Sequence, residues 1–169
     1  MSLRGLNQFM SRLNKEIRKI ENRTLDGLIR AAIIVHRDTE NTVPKTPVDI
    51  GNLRASFFYV ASDGRAESSP SFSKGPGASG RKISQKELAM LSDSHTKIMN
   101  TCKTLSKVVT DGPAVILGYS AYYAIFVHEM VNAVNWTRPG SGPKWFEASF
   151  RRNRGEILNI IRRTARVLK

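Results

Sequence analysis

At 169 residues and 40% hydrophobic content the chain is long enough to bury a core of its own, as one domain carrying an elaboration. No apolar run reaches the roughly 20 residues needed to span a bilayer, the start Met1-Ser2-Leu3-Arg4-Gly5 lacks the apolar stretch of a signal peptide, and lone Cys102 excludes an intramolecular disulfide, so a soluble protein with no membrane partner is expected. The net charge of +13 is unevenly spread: from Arg138 to Lys169 nine Lys or Arg stand against Glu147 and Glu156, a net of +7, which points to an anionic or acidic neighbour for the C-terminal end.

From Leu6 to His36 the residues Leu6, Phe9, Met10, Leu13, Ile17, Ile20, Leu28, Ile29 and Ala32 recur at threes and fours, the spacing of one helix face. The pattern predicts an amphipathic helix of roughly 45 Å, longer than a domain of this size needs, so its first half is expected to pack on a neighbouring subunit. Two ordinary helices broken at Asn22 to Thr24 are the alternative. Pro44 and Pro47 forbid continuation, so the helix must stop near Asn41.

The next segment is Thr46-Pro47-Val48-Asp49-Ile50-Gly51-Asn52-Leu53-Arg54-Ala55-Ser56-Phe57. Asp49 reads as the cap of a short turn, Gly51 as a close or left-handed backbone position, and Leu53 and Phe57 as residues aimed into the core. Arg54 lies too far round from Asp49 for a same-face pair, and its expected partner is Glu129 in a partly buried ion pair. Phe57 to Ala61 has strand composition and ends at Ser62-Asp63-Gly64.

Residues 62–107 read as an insert: an exposed, flexible Ser-, Gly- and Pro-rich loop from Ser62 to Gly80, then a helix from about Ser84 to Lys107 opened by the capping box Ser84-Gln85-Lys86-Glu87. Val108-Val109-Thr110, Asp111-Gly112 and Ala114 to Gly118 read as strand, tight turn and strand. Ala121 to Met130 carries apolar residues on several faces, which fits a buried helix or a further strand. Gly142-Pro143 sets the start of the last helix with Pro143 at its first position, and Trp145, Phe146, Phe150, Leu158, Ile161, Ala165 and Leu168 mark its inner face. Gly155 weakens that helix by about 1 kcal/mol relative to Ala.

Catalytic chemistry is not expected. His128-Glu129 begins a zinc-protease pattern, but Asn132 stands where the second histidine belongs, and the three histidines bring no acidic cluster at ligand spacing, so no cofactor or metal is implied. Gly75 to Lys82 imitates a phosphate loop with the lysine one place late and no apolar strand before it. The remaining candidate is the basic face Arg151, Arg152, Arg154, Arg162, Arg163 and Arg166, either a solvated helix face, paired or not with an acidic neighbour, or a lining for a DNA channel; no module that reads bases accompanies it.

Three segments in fixed order carry a resemblance: Thr46 to Phe57, then Leu117-Gly118-Tyr119-Ser120-Ala121-Tyr122-Tyr123-Ala124-Ile125-Phe126-Val127-His128-Glu129, then Arg138-Pro139-Gly140-Ser141-Gly142-Pro143-Lys144-Trp145-Phe146. The set resembles the tail-component family of long-tailed bacteriophages, small proteins assigned to tail completion and head-to-tail joining, over about residues 1–60 and 108–160. The resemblance implies an α+β subunit, a small antiparallel sheet with a long N-terminal and a C-terminal helix, and it makes Ala121 to Met130 helical. It further implies a virion protein of the neck or tail top, closed into a six-fold or twelve-fold ring, contacting connector, tail terminator or tail proteins and tolerating packaged DNA without sequence preference. Val131 to Trp136 departs from the short polar link expected after Glu129. A stand-alone basic nucleic-acid-binding protein, supported by charge alone, is the competing reading, and a small hydrolase using His128 or Glu129 is a distant third.

Overall fold

The computed structural model describes residues 3–68, 71–77, 79–108, 112–132 and 135–166, with backbone alone for 3–7. The elements are α1 (Leu3–Asn41), α2 (Asn52–Ala55), β1 (Phe57–Ala61), β2 (Ala66–Ser68), α3 (Gln85–Val108), β3 (Val115–Tyr119), α4 (Ala124–Glu129) and α5 (Trp145–Ala165). This is the expected α+β architecture: a three-stranded antiparallel sheet in the order β2-β1-β3, with the long N-terminal helix packed on it and the C-terminal helix packed along that helix, its first turn against Tyr119. Among the described residues no helix is long and apolar enough to cross a membrane.

Alternation along the two longer strands dictates the layers. Phe57, Tyr59 and Ala61 join Val115, Leu117 and Tyr119 on one face, where they meet Leu25, Ile29 and Ala32 of α1. Phe58, Val60 and Ile116 face the other way, onto Ile98, Met99 and Cys102 of α3. Every residue of β1 is therefore buried, which explains an apolar run without polar interruption. The helix of the 62–107 segment lies against the sheet as its second cover, and Cys102 packs there as a small apolar group.

α1 runs unbroken through Asn22 to Thr24. It packs mainly on α5, and the approach is close because Gly27 offers no side chain: a Cβ there would collide with Thr164 Oγ1 and fall 3.1 Å from Ile161 Cα. Ser149 repeats the device, fully buried with its hydroxyl donating to Val35 O at 3.1 Å. The inner face of α5 is consequently narrower than its apolar pattern suggests. Trp145 is buried, but Phe150 and Leu158 turn outward at 38% and 42% exposure, and Leu168 lies outside the described residues.

Two strand assignments change. Val108 is the last residue of α3, with Val109, Thr110 and Asp111 outside the described residues, so the strand expected there is not the partner of β3. β3 pairs with β1, Phe57 opposite Tyr119, and the hairpin turn is Asp63-Gly64, where Gly64 has φ 93° and Ala61 N–H donates to Arg65 O at 2.7 Å. β2 within the Ser62 to Gly80 stretch is the strand that the expected loop conceals.

The capping box forms as expected: Ser84 Oγ accepts from Glu87 N–H at 3.2 Å while Glu87 accepts from Ser84 N–H at 2.8 Å. Farther along α3, buried His95 places Nδ1 2.6 Å from Ser120 Oγ and Nε2 3.1 Å from Ser68 Oγ, tying this helix to β2 and to the end of β3. Ser120 is fully buried, so this Ser–His contact has no access to a substrate.

Burial holds the imidazoles of His95 and His36 below their ordinary pKa; His36 stacks on Phe57 with ring centroids 3.8 Å apart. Each folded-state pKa lies under the unfolded value of about 6.5, so their contribution is complete above that pH and is lost as pH falls through the folded value. Denaturant titrations at pH 7, 6 and 5 should show falling stability, with a shallower fall in His95→Gln because His36 remains. A pH-independent midpoint in the native chain would contradict this.

Candidate functional site

The three patterned segments converge on the C-terminal end of α1. After Asn41 the chain doubles back, and Thr46 N–H donates to Thr39 O at 2.8 Å. Lys45 and Ser141 form a parallel bridge, with Lys45 N–H donating to Gly140 O (2.8 Å) and Gly142 N–H to Lys45 O (3.3 Å). Below them the buried Tyr119 hydroxyl lies 2.9 Å from Thr39 Oγ1 and 3.0 Å from Thr46 Oγ1, and its ring meets Phe57, Trp145 and Phe146 edge-on. Ser56 closes the turn by donating to Leu53 O at 2.6 Å and accepts at its own carbonyl from Ser120 N–H.

Glu40 is the electrostatic centre of this junction. Its Oε2 lies 2.5 Å from Arg54 Nε and 3.2 Å from Arg138 Nη1, and its side chain is 11% exposed. Arg138 also donates to Glu40 O at 2.5 Å and Thr46 O at 3.2 Å. The expected Arg54–Glu129 pair is therefore not formed. Arg54 follows the end of α1, whereas Glu129, at the last position of α4, turns to Lys144 and to His128 Nδ1 at 2.7 Å; the hydrogen bonds from Lys144 and then His128 hold its carboxyl below the usual range.

Asp49 is likewise not a helix cap. Its Oδ1 accepts from Ser79 N–H (2.9 Å) and Ser79 Oγ (2.6 Å), which lowers its pKa and staples the segment from Ser79 to Ile83 to the motif. The cap position of α2 belongs to Gly51 at φ 97°, the left-handed conformation expected of it. Leu53 and Phe57 are buried as expected, and Pro47 is buried as well. Pro139 and Pro143 stand in turns, and α5 starts at Trp145 after Lys144 at φ 57°, two residues later than Pro143 suggests. His128 lies with its ring 4.9 Å from that of Trp145, edge-on, and serves packing.

This arrangement is a junction between the end of α1 and the three patterned segments. Among the described residues no three His, Cys, Asp or Glu gather at metal-binding distance. A cleft of about 380 Å³ opens between Asp49, Arg81, Ile83, Tyr123, Val127 and Trp136. Its charged groups already have partners, Asp49 accepting hydrogen bonds from Ser79 and Arg81 paired with Glu87 at 2.9 Å, and burial raises Tyr123 to about 12, keeping it a neutral phenol.

What the molecule does present is uncovered surface. Residues 8–19 of α1 are all exposed, including Phe9 (61%), Met10, Leu13 and Ile17. At the other end of the body, Tyr122, Ile125, Phe126 (70%), Met130 and Val131 are exposed around α4; Ala133 and Val134 of the neighbouring segment lie outside the described residues.

The basic face divides. Arg152 is committed to Asp38 at 2.6 Å and to Val43 O, and Arg151 pairs with Glu147 at 2.5 Å. Burial alone would raise Asp38, but hydrogen bonds from Arg152, Thr42 and Ser149 bring its pKa below the ordinary value. Arg154, Arg162, Arg163 and Arg166 are exposed without an ion pair among the described residues, and Arg163 shares a shallow groove with Arg30, Ile33 and Ile160.

No protein-family model, curated protein or solved structure matches this chain. In stability measurements by urea, Glu40→Ala and Arg138→Ala should each cost about 2 kcal/mol, the range for losing charge-assisted hydrogen bonds in a partly buried pair. Glu129→Ala, at an exposed pair, should stay within about 0.5 kcal/mol. Equal losses at Glu40 and Glu129 would refute this assignment.

Proposed function

We propose that the protein is a structural component of a long-tailed bacteriophage particle, at the neck or top of the tail, where copies close into a ring that joins the tail to the head connector. The observation that carries this reading is the apolar seam of α1, whose Phe9, Met10, Leu13 and Ile17 are all exposed. Exposed apolar surface of this extent marks a site of protein association. The ordered Thr46, Tyr122 and Arg138 segments, with their resemblance to tail-completion proteins, supply the kind of assembly. In such a ring of six or twelve copies, the connector, tail terminator or tail proteins lie above and below, and the work is done by interfaces without catalysis.

Arg154, Arg162 and Arg163 of α5 with Arg166 just beyond it, which have no ion pair among the described residues, suit a surface that faces packaged DNA, since neutralising phosphates requires loosely placed cations and no base readout. The same residues favour the second reading, a stand-alone DNA-binding protein without sequence preference. Gold-labelled antibody against the native protein should mark the head–tail joint of purified particles, and native mass measurement should find a multimer. A monomer binding DNA tightly and absent from particles would favour the second reading. Under either, Arg162, Arg163 and Arg166 changed together to Ala should reduce the slope of log affinity against log salt by about 0.9 for each phosphate that is no longer neutralised. An unchanged slope would place the DNA-binding surface elsewhere.

A further inference from the structure

The two uncovered apolar faces differ in shape and charge, and they stand at opposite ends of α1. Met10, Leu13, Ile17 and Ile20 follow one another at intervals of three, four and three, the spacing of a seam made to lie along another surface. α5 leaves this part of α1 uncovered, since Gly27 already meets Thr164 near the end of α5. The α4 face lies beyond the other end, where Lys144 N–H donates to His128 O and Arg138 grips Glu40. Twenty-seven residues from Leu13 to Glu40 put roughly 40 Å between the two.

Charge selects the pairing. Residues 8–23 carry five basic groups against Glu16 and Glu21, a net of +3, so two arms laid together would set like charges side by side. Residues 120–136 contain no Lys or Arg, and their one carboxylate, Glu129, is paired with Lys144, so the α4 face sets no unpaired like charge against the arm. Weighted by their exposures at about 200 Å² for a large apolar residue, the four side chains on the arm offer roughly 400 Å² and the five around α4 roughly 570 Å². This is about half to two thirds of the roughly 800 Å² per partner in a standard interface, with the basic flank of the arm available for the polar rim.

We infer that the α1 arm of one copy, through Phe9, Met10, Leu13 and Ile17, docks on the Ile125, Phe126, Met130 and Val131 face of the next copy. The contact is heterologous, because unlike surfaces meet and a pair so joined keeps one arm and one α4 face free. Head-to-tail contacts of this type are those that propagate and close into rings. The inference rests on the proposed self-assembly and specifies which surfaces build it.

The test uses Leu13→Arg and Phe126→Arg in the full chain, with sedimentation velocity for size and circular dichroism for folding. Both side chains are exposed, so helix content should be unchanged. The native chain should be a multimer, and each variant alone should be monomeric over at least a tenfold range of concentration. Mixed one to one, they should give a dimer and nothing larger, since one intact arm and one intact α4 face remain. A mixture that stays monomeric, or a variant that assembles like the native chain, overturns the docking and leaves self-assembly standing. A native chain that is monomeric at all concentrations overturns both.

Discussion

The C-terminal end of α1 is the constraint around which the chain is arranged. A helix accumulates partial negative charge at its C-terminus, where cations are favourable and carboxylates are not. The last turn of α1 nevertheless carries Asp38 and Glu40 and no basic residue. Three arginines from distant parts of the chain correct this: Arg152 on Asp38, and Arg54 with Arg138 on Glu40. Each patterned segment thereby acquires a physical reason for its residues. The first delivers Arg54 after a left-handed Gly51, the second places the Tyr119 hydroxyl between Thr39 and Thr46, and the third brings Arg138 back through the Lys45–Ser141 bridge.

That junction fixes one half of α1 and leaves the other half free of its own body. Leu25 to Thr39 are held by the sheet and by α5, so the helix is already nucleated when it continues outward. Residues 8–19 need only propagation, which is favourable where nucleation is the costly step. Such an arm keeps its helical form without cover and presents its apolar seam to whatever surface fits. The α3 helix, by contrast, is drawn inward, because both faces of β1 are apolar and a single helical layer would leave Phe58 and Val60 in water.

Much of this was legible in the sequence because it depends on local rules. The three-and-four spacing found α1, the Ser84–Glu87 box found the start of α3, and the unbroken run from Phe57 found the central strand. Ala66-Glu67-Ser68 carries no alternating apolar signal and becomes a strand because the Asp63-Gly64 turn folds it onto β1. The partner of Arg54 was out of reach for a different reason. Glu40 and Glu129 are equivalent as charges on paper, and the choice between them is made by the doubling back of the chain after Asn41, a matter of tertiary geometry. Glu40 itself left a trace that could have been read, a carboxylate in the last turn of a helix that holds no basic residue there. The outward turn of Phe150 and Leu158 follows from the close approach at Gly27 and Ser149, which no periodicity reports.

In the reading developed above, a well-anchored body serves to hold two sticky ends apart, and the basic face of α5 is left over for a polyanion. Amide hydrogen exchange followed across protein concentration tests that reading most directly. If α1 is an assembly arm, amides of residues 8–20 and of Tyr122 to Val131 gain protection together as concentration rises, while Leu25 to Thr39 stay equally protected throughout. An arm that exchanges at the same rate in dilute and concentrated solution would contradict it.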